Sequence, residues 1–388
     1  MAKASHNIHP SFLIFILILL FFTCSVYASD QNKRPFKKVY AFGDSYTDTG
    51  NTRSNSGPSG FMFVSNLPYG RTFFHRPTNR YSDGRLVIDF LAQALSLPFL
   101  QPYLDVVNGK PNKSTPSASV NFAVAGSTAI VHSFFSKNNM TLNITPQSIS
   151  TQLAWFNKVL EGSGCRNYSS TPRECEAVFN DALIWVGEIG ANDYAYSFGS
   201  SVPTKTIQKL AVNSLNVFLK ALMNKGAKYV VVQGLPPTGC LTLSMYLAPS
   251  DDRGDGGCVG SANNQSYTHN TILKSKLDAL RKQFPSAVIV YADYYNAYMR
   301  VVKNPRSYGF HELYKVCCGH SGGTYNFDYL NACGSPSSSS CANPSQYINW
   351  DGVHLTEAMN NAMANSFLNG TYSQPPFSYL LSKKQRSG

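Results

Sequence analysis

Val39-Tyr40-Ala41-Phe42 runs without a break into Gly43-Asp44-Ser45-Tyr46-Thr47-Asp48-Thr49-Gly50-Asn51. The first four residues are apolar and do not alternate with polar ones. That is the pattern of a strand buried on both faces of a parallel sheet. The residues after Phe42 are turn formers, so the segment reads as a strand that ends in a serine. In open α/β sheets, ligands bind outside the carboxyl ends of the strands. A hydroxyl at residue 45 is therefore placed for chemistry. The same residues also suit an ordinary tight turn, with Asp44 and Ser45 capping the next helix.

Four further runs share this strand character, at 120–123, 183–186, 229–232 and 288–291. Helical stripes lie between and around them. Residues 85–95 carry Val87, Ile88, Leu91 and Leu95; residues 204–225 carry Ile207, Leu210, Leu215, Phe218, Leu219 and Leu222 and stop at Gly226. Residues 266–284 carry Ile272, Leu273, Leu277 and Leu280, and a last helix is predicted to start near Thr356. Strands alternating with helices imply right-handed crossovers and a five-stranded parallel sheet covered on both faces. The remaining length falls in loops at 52–81, 133–148, 163–176 and 235–260, rich in Gly, Pro, Ser and Asn. No linker divides the chain, so residues 29–388 read as one domain.

Three other blocks stand where chemistry is expected. The second strand leads to Gly126, whose N–H can approach a ligand with no Cβ in the way; it also suits a plain turn. The third leads into Gly187-Glu188-Ile189-Gly190-Ala191-Asn192-Asp193. The Asn192 amide there can donate to a developing oxyanion or form an Asx turn. Near the C-terminus, Trp350-Asp351-Gly352-Val353-His354 sets a carboxylate three residues before a histidine. That spacing lets the carboxylate orient the imidazole and stabilise its cation. A serine hydroxyl needs such a base, because it is too weakly acidic to attack unaided. Each block alone has an ordinary structural reading. Together they supply nucleophile, base, orienting acid and oxyanion donors, three of them at the ends of strands of one sheet.

The four blocks, with Pro68-Tyr69-Gly70, Arg80-Tyr81-Ser82-Asp83-Gly84-Arg85, Leu235-Pro236-Pro237-Thr238-Gly239-Cys240 and Cys317-Cys318-Gly319, resemble the plant GDSL esterase/lipase family of the SGNH hydrolase superfamily. The resemblance covers about residues 38–367. It implies a three-layer α/β/α sandwich of flavodoxin-like SGNH type. It implies catalytic roles for Ser45 as nucleophile, His354 as base and then acid, and Asp351 as the residue that orients His354. Ser45, Gly126 and Asn192 would form the oxyanion hole, and no metal or organic cofactor is needed. Tyr46 departs from the Leu of the family name, and His320 is atypical after Cys-Cys-Gly. Stretches 68–90 and 148–156 resemble the subgroup containing acetylajmalan esterase and sinapine esterase, which implies a small acetyl or phenolic ester of a plant specialised metabolite as substrate.

Residues 12–22 are continuously apolar, too short to span a bilayer but suited to a signal-peptide core. With Val26 and Ala28 following, residues 1–28 read as a signal peptide cleaved after Ala28, and no stable membrane anchor is expected. Of nine cysteines, Cys24 falls in that leader and eight remain. An even set in a secreted chain suggests disulfides. Local loop closure favours Cys165–Cys175 and Cys240–Cys258, with Cys317, Cys318, Cys333 and Cys341 pairing among themselves. A metal site at Cys317, Cys318 and His320 is the rival reading, and adjacent cysteines suit it poorly. Sequons at Asn112, Asn139, Asn143, Asn167, Asn264 and Asn369 fit a secreted glycoprotein. The apoplast and the vacuole are both open as destinations.

The 388 residues are 43% hydrophobic, which excludes disorder as a description of the chain. Only 14% are charged, and the net charge is +12. The basic residues form no long run; the densest groups are Lys33, Arg34, Lys37 and Lys38, and Lys383, Lys384 and Arg386. With no basic helix and no aromatic-basic alternation, a nucleic-acid partner is not expected; the resemblance implies a small-molecule ester as the partner. Two alternatives remain beside the esterase. One is an acyltransferase using the same acyl-enzyme. The other is a non-catalytic secreted glycoprotein acting as a binding module, which predicts a broken catalytic set. The sequence does not set the oligomeric state.

Overall fold

The computed structural model describes residues 34–53, 63–109, 119–142, 145–162, 165, 175 and 178–386. The leader at 1–28 with Cys24, and the sequons at Asn112, Asn143 and Asn167, lie outside the described residues.

All five expected strands form: β1 (Lys38–Phe42), β3 (Val120–Asn121), β4 (Ala182–Val186), β5 (Tyr229–Gln233) and β6 (Val288–Ala292). They pair in parallel, in the order β3-β1-β4-β5-β6. This is the flavodoxin-like order. The sheet is wider than expected. Two strands of two residues each extend it: β2 (Gln101–Pro102) runs parallel to β3, and β11 (Ser373–Gln374) runs antiparallel to β6. Neither is long enough to show an apolar pattern. β3 itself ends two residues short of the expected 123, although Phe122 and Val124 still donate to Ala41 and Gly43 of the β1 segment.

Side chains alternate across the sheet. Tyr40, Phe42, Ile184, Val186, Val230 and Val232 enter one apolar core, and Val39, Ala41, Leu183, Trp185, Tyr229 and Val231 enter another. Among the described residues, the helices of seven residues or more are α1 (Val87–Ala94), α2 (Ile149–Gly162), α3 (Ala191–Ser197), α4 (Thr204–Asn224), α5 (Gly260–Gln283), α6 (Tyr294–Lys303), α7 (Glu357–Leu368) and α8 (Phe377–Arg386). α2, α4 and α5 bury Phe156, Phe218 and Leu277 in the first core. α1, α6, α7 and α8 bury Leu91, Tyr298, Met363 and Phe377 in the second. The result is a three-layer α/β/α sandwich. Covering both faces is what allows the strands to be apolar throughout.

α4 ends as its sequence predicts, with Gly226 at a φ of 105° just beyond it. α7 begins after Thr356, whose hydroxyl accepts from Met359 N. α5 starts six residues earlier than its apolar stripe, because Asn263 is buried and accepts from Gly239 N.

A smaller layer caps the C-terminal region. β7 (Glu312–Val316) pairs in parallel with β10 (Tyr347–Asn349), and β8 (Cys318–Gly319) pairs with β9 (Ser339–Ser340). Four disulfides form: Cys165–Cys175, Cys240–Cys258, Cys317–Cys341 and Cys318–Cys333. The last four cysteines thus pair among themselves, and the rival metal site has no thiols left. His320 instead hydrogen-bonds Ser337 O through Nδ1, at 2.8 Å. Such bridges belong to chains that fold in an oxidising compartment. Among the described residues, no helix is long and apolar enough to cross a membrane.

Candidate active site

Ser45 lies in the turn that leaves β1, closed by Thr47 N and Asp48 N donating to Asp44 O. Gly43 makes the turn at a φ of 144°, with Gly187 Cα 3.3 Å from where its Cβ would stand. A side chain at 43 would therefore drive β1 and β4 apart. Behind the turn, the buried carboxylate of Asp48 accepts from four amides. Gly50 N and Asn51 N donate to one oxygen at 2.8 and 2.7 Å; Thr52 N and Ala125 N donate to the other, both at 3.0 Å. Asp48 therefore joins the serine turn to the segment that carries Gly126.

Because β4, β1 and β3 are neighbours and parallel, Asn192, Ser45 and Gly126 all follow the carboxyl ends of adjacent strands. Asn192 stands in the first turn of α3. Its Nδ2 donates to Asp44 Oδ2 and to Ser127 O, both at 2.9 Å. It thus ties the neighbour of Ser45 to the neighbour of Gly126. Gly126 adopts a φ of 76°, and its carbonyl accepts from Tyr196 Oη at 2.9 Å. Next to Asn192, the Asp193 carboxylate accepts from Ala129 N and Ile130 N at 2.8 Å. Burial pushes that carboxyl up to about 7, against the opposing effect of those two hydrogen bonds.

Asp351 and His354 form a direct pair. His354 Nδ1 lies 2.9 Å from Asp351 Oδ1 and 2.8 Å from Oδ2. The amides of Val353 and His354 donate to Oδ1 as well, at 3.1 and 2.8 Å, so the carboxylate shapes its own loop. Tyr69 Oη donates to Oδ2 at 2.7 Å. Burial alone would raise the Asp351 carboxyl. The adjacent imidazole, its hydrogen bonds and the Tyr69 hydroxyl outweigh burial and hold it below the usual range. An ionised carboxylate only accepts, so Nδ1 carries the ring proton and Nε2 is the basic nitrogen.

The serine turn and the imidazole loop meet through Tyr46. Its hydroxyl donates to Val353 O at 2.7 Å, and its ring centroid is 5.8 Å from that of His354. The Tyr81 ring lies closer to the imidazole, tilted by 36°, with centroids 4.7 Å apart. Beneath the serine turn lie two buried carboxyls. Burial raises Asp44, relieved by Glu188, by the Tyr46 amide and by His354. Burial also pushes Glu188 well up, and the Asp44 charge pushes it further. Glu188 is the member of the pair that keeps its proton.

Sequence reasoning missed several supports. Gln152 on α2 accepts from Gly43 N at 3.0 Å and donates to Gly43 O at 2.7 Å and to Ser127 Oγ at 2.9 Å. Asn51 Nδ2 donates to Asn121 O and Ala123 O, both at 2.8 Å. The stretch Arg80 to Arg85 braces both ends of the site. Arg80 forms a two-point pair with Asp89 at 2.8 Å and reaches Thr49 O at 3.3 Å. Asp83 Oδ1 accepts from Glu357 N at 2.7 Å, at the start of α7. A polar residue within an apolar stripe, such as Gln152, was the available signal.

A model of the family described as GDSL-like Lipase/Acylhydrolase matches residues 39–367. A GDSL esterase/lipase of Arabidopsis thaliana is 57% identical over 373 residues, covering 96% of each chain. A sinapine esterase of Brassica napus is 38% identical over 387 residues, covering 98% of this chain and 96% of its own. Among solved structures, a catalytic mutant of an acetylxylan esterase from Geobacillus stearothermophilus is similar at 11% identity and a TM-score of 0.39, over 86% of this chain and 93% of that one. With its family model and its relatives both spanning the fold just described, the chain belongs to the plant GDSL esterase/lipase family and is a carboxylic ester hydrolase.

Proposed function

We propose that the mature chain is a secreted serine esterase that hydrolyses small acetyl or phenolic esters of plant specialised metabolites through an acyl-enzyme on Ser45. The observation that carries this reading is the buried Asp351–His354 pair, joined to the turn of Ser45 by the Tyr46 hydroxyl. The 38% identity to a sinapine esterase supports the substrate class.

In this mechanism Ser45 Oγ attacks the ester carbonyl carbon while His354 Nε2 takes its proton. The negative charge that forms on the carbonyl oxygen accepts from the amides of Ser45 and Gly126 and from the Asn192 side chain. Asp351 stabilises the imidazolium and fixes its tautomer. The C–O bond to the leaving alcohol then breaks, and the alcohol takes the proton from His354. Water attacks the acyl-serine by the same route. The carboxylic acid is released and Ser45 regains its hydrogen. The Asn192 amide directs both its hydrogens to Asp44 and Ser127 before substrate binds, so one of them turns to the oxyanion as it forms.

The test is a panel of acetyl, phenolic and long-chain esters assayed beside Ser45→Ala, with a fluorophosphonate to label the serine. We expect labelling at residue 45 only, a preference for the acetyl or phenolic esters, and a rate loss of about 10,000-fold or more in the variant. Failure to label the folded protein overturns the esterase reading and favours a binding module. Acyl transfer to an added alcohol in place of hydrolysis identifies an acyltransferase.

A further inference from the structure

We propose that Tyr46 and Tyr69 are positioning residues that clasp the Asp351–His354 loop, Tyr46 fixing its place beside the nucleophile turn and Tyr69 moderating the charge that Asp351 presents to the imidazole. This rests on the catalytic reading above.

The two hydroxyls come from different segments and grip opposite parts of one short loop. Tyr46 follows β1 and donates to Val353 O, 307 positions away, at 2.7 Å. Tyr69 lies in the loop before α1 and donates to Asp351 Oδ2, 282 positions away, also at 2.7 Å. Both rings are buried, and neither can swing to water without opening the core. The Tyr69 ring is lodged against Tyr81 and Trp350, with centroids 6.2 and 6.0 Å away. Among the described residues, the loop backbone is also held by Leu243 N donating to Gly352 O at 2.8 Å and Trp350 N donating to His354 O at 2.7 Å.

The acceptors are unequal, and so are the expected effects. Asp351 Oδ1 serves its own loop, taking Val353 N, His354 N and the ring. Oδ2 is shared between the imidazole and Tyr69. Among the described residues, Tyr69 is the one hydrogen-bond partner of Asp351 from outside residues 351–354. A phenol on that oxygen draws charge away from the side that faces the ring. Among the described residues, Tyr81 faces Asp351, and Asp44 and the Tyr46 ring face His354. Tyr46 binds a neutral peptide carbonyl, so it sets position and leaves the charge of Asp351 alone. It also stands at the position where this chain departs from the Leu of the family name.

The test compares Tyr69→Phe and Tyr46→Phe with wild type, with rates expressed per fluorophosphonate-titrated site. For Tyr69→Phe we expect about a tenfold loss in kcat and an acid limb of kcat/KM displaced upward by about half a pH unit, because a less shielded carboxylate favours the imidazolium. Placing 3-fluorotyrosine at position 69, a stronger donor of the same shape, moves the limb down. For Tyr46→Phe we expect kcat to fall about three- to tenfold, KM to stay within about twofold and the limb not to move. Should Tyr69→Phe not fold, the fluorinated variant alone decides the sign. Unchanged kcat and an unmoved limb at position 69 overturn the clasp while labelled, active wild type keeps the esterase. If wild type neither labels nor turns over, the esterase reading falls. The clasp is then judged by the His354 Nδ1 proton resonance, which must move when Tyr69 is changed.

Discussion

The Gln152 carboxamide holds both sides of the Gly43 peptide unit, accepting from its amide at 3.0 Å and donating to its carbonyl at 2.7 Å. Gly43 stands two residues before Ser45, and Gln152 is wholly buried. Gln152→Leu keeps the volume and removes all three polar contacts. Gly43 O keeps its bond from Val124 N, but the buried Gly43 N loses its acceptor, which should cost about 1–3 kcal/mol in urea unfolding. The rate should fall further than the stability loss explains, because the turn is released as well.

Asn192→Ala removes a side chain that ties Asp44 to Ser127 and that, in the proposed mechanism, donates to the oxyanion. We expect kcat to fall by about 100- to 1,000-fold, with KM little changed. Steady-state kinetics on a p-nitrophenyl acetate substrate check this. A loss below tenfold removes Asn192 from the oxyanion hole.

Arg80 and Asp89 form a two-point ion pair with almost no exposure on either side chain. Asp89 also accepts from Leu86 N at the start of α1. Asp89→Ala leaves the guanidinium buried and uncompensated, at a cost of about 3–5 kcal/mol. Removing both partners with apolar residues should recover part of that loss, as a double-mutant cycle in denaturant will show.

Glu188 carries a testable pH dependence. Its carboxyl is raised by burial and then by Asp44. In the unfolded chain it ionises near pH 4–5, as an ordinary glutamate does (about 4.3). The folded state holds its proton to higher pH. Stability from this group is therefore present at acid pH and is lost as pH rises through the ordinary range towards the raised folded value. Glu188→Gln should melt about 2 °C or more above wild type at pH 7, with the difference gone near pH 3. Calorimetry across that range is the check; a variant that melts lower at pH 7 contradicts the protonated glutamic acid.

Much of the architecture was legible because four central strands are five-residue runs buried on both faces, and the two-residue β3 is continued by the apolar Phe122 and Ala123, so all five stand out from their surroundings. The edge strands were not legible, since two residues carry no period. α6 was not read from the sequence because its buried side, Tyr294, Ala297, Tyr298, Met299, Val301 and Val302, opens with tyrosines and alanine, which do not mark an apolar stripe on their own. In the site, Ser45, Gly126, Asn192, Asp351 and His354 could be named because each follows a strand or sits in a recognisable spacing. Their supports could not. Tyr69 lies in an irregular loop, and its partnership with Asp351 spans most of the chain. Gln152 interrupts a helical stripe, but nothing local says that its partner is the peptide of Gly43.

The Tyr46–Val353 contact also has a meaning for biosynthesis. One participant follows directly on the earliest strand of the sheet and the other belongs to the final stretch before α7. During translation, every long strand leaves the ribosome before the imidazole is made. A fragment that stops ahead of Trp350 can hold the sheet's long strands yet lacks His354, the base of the proposed mechanism. On the proposed mechanism, hydrolytic competence arrives only with near-complete synthesis, and C-terminal clipping erases it while Ser45 stays in place.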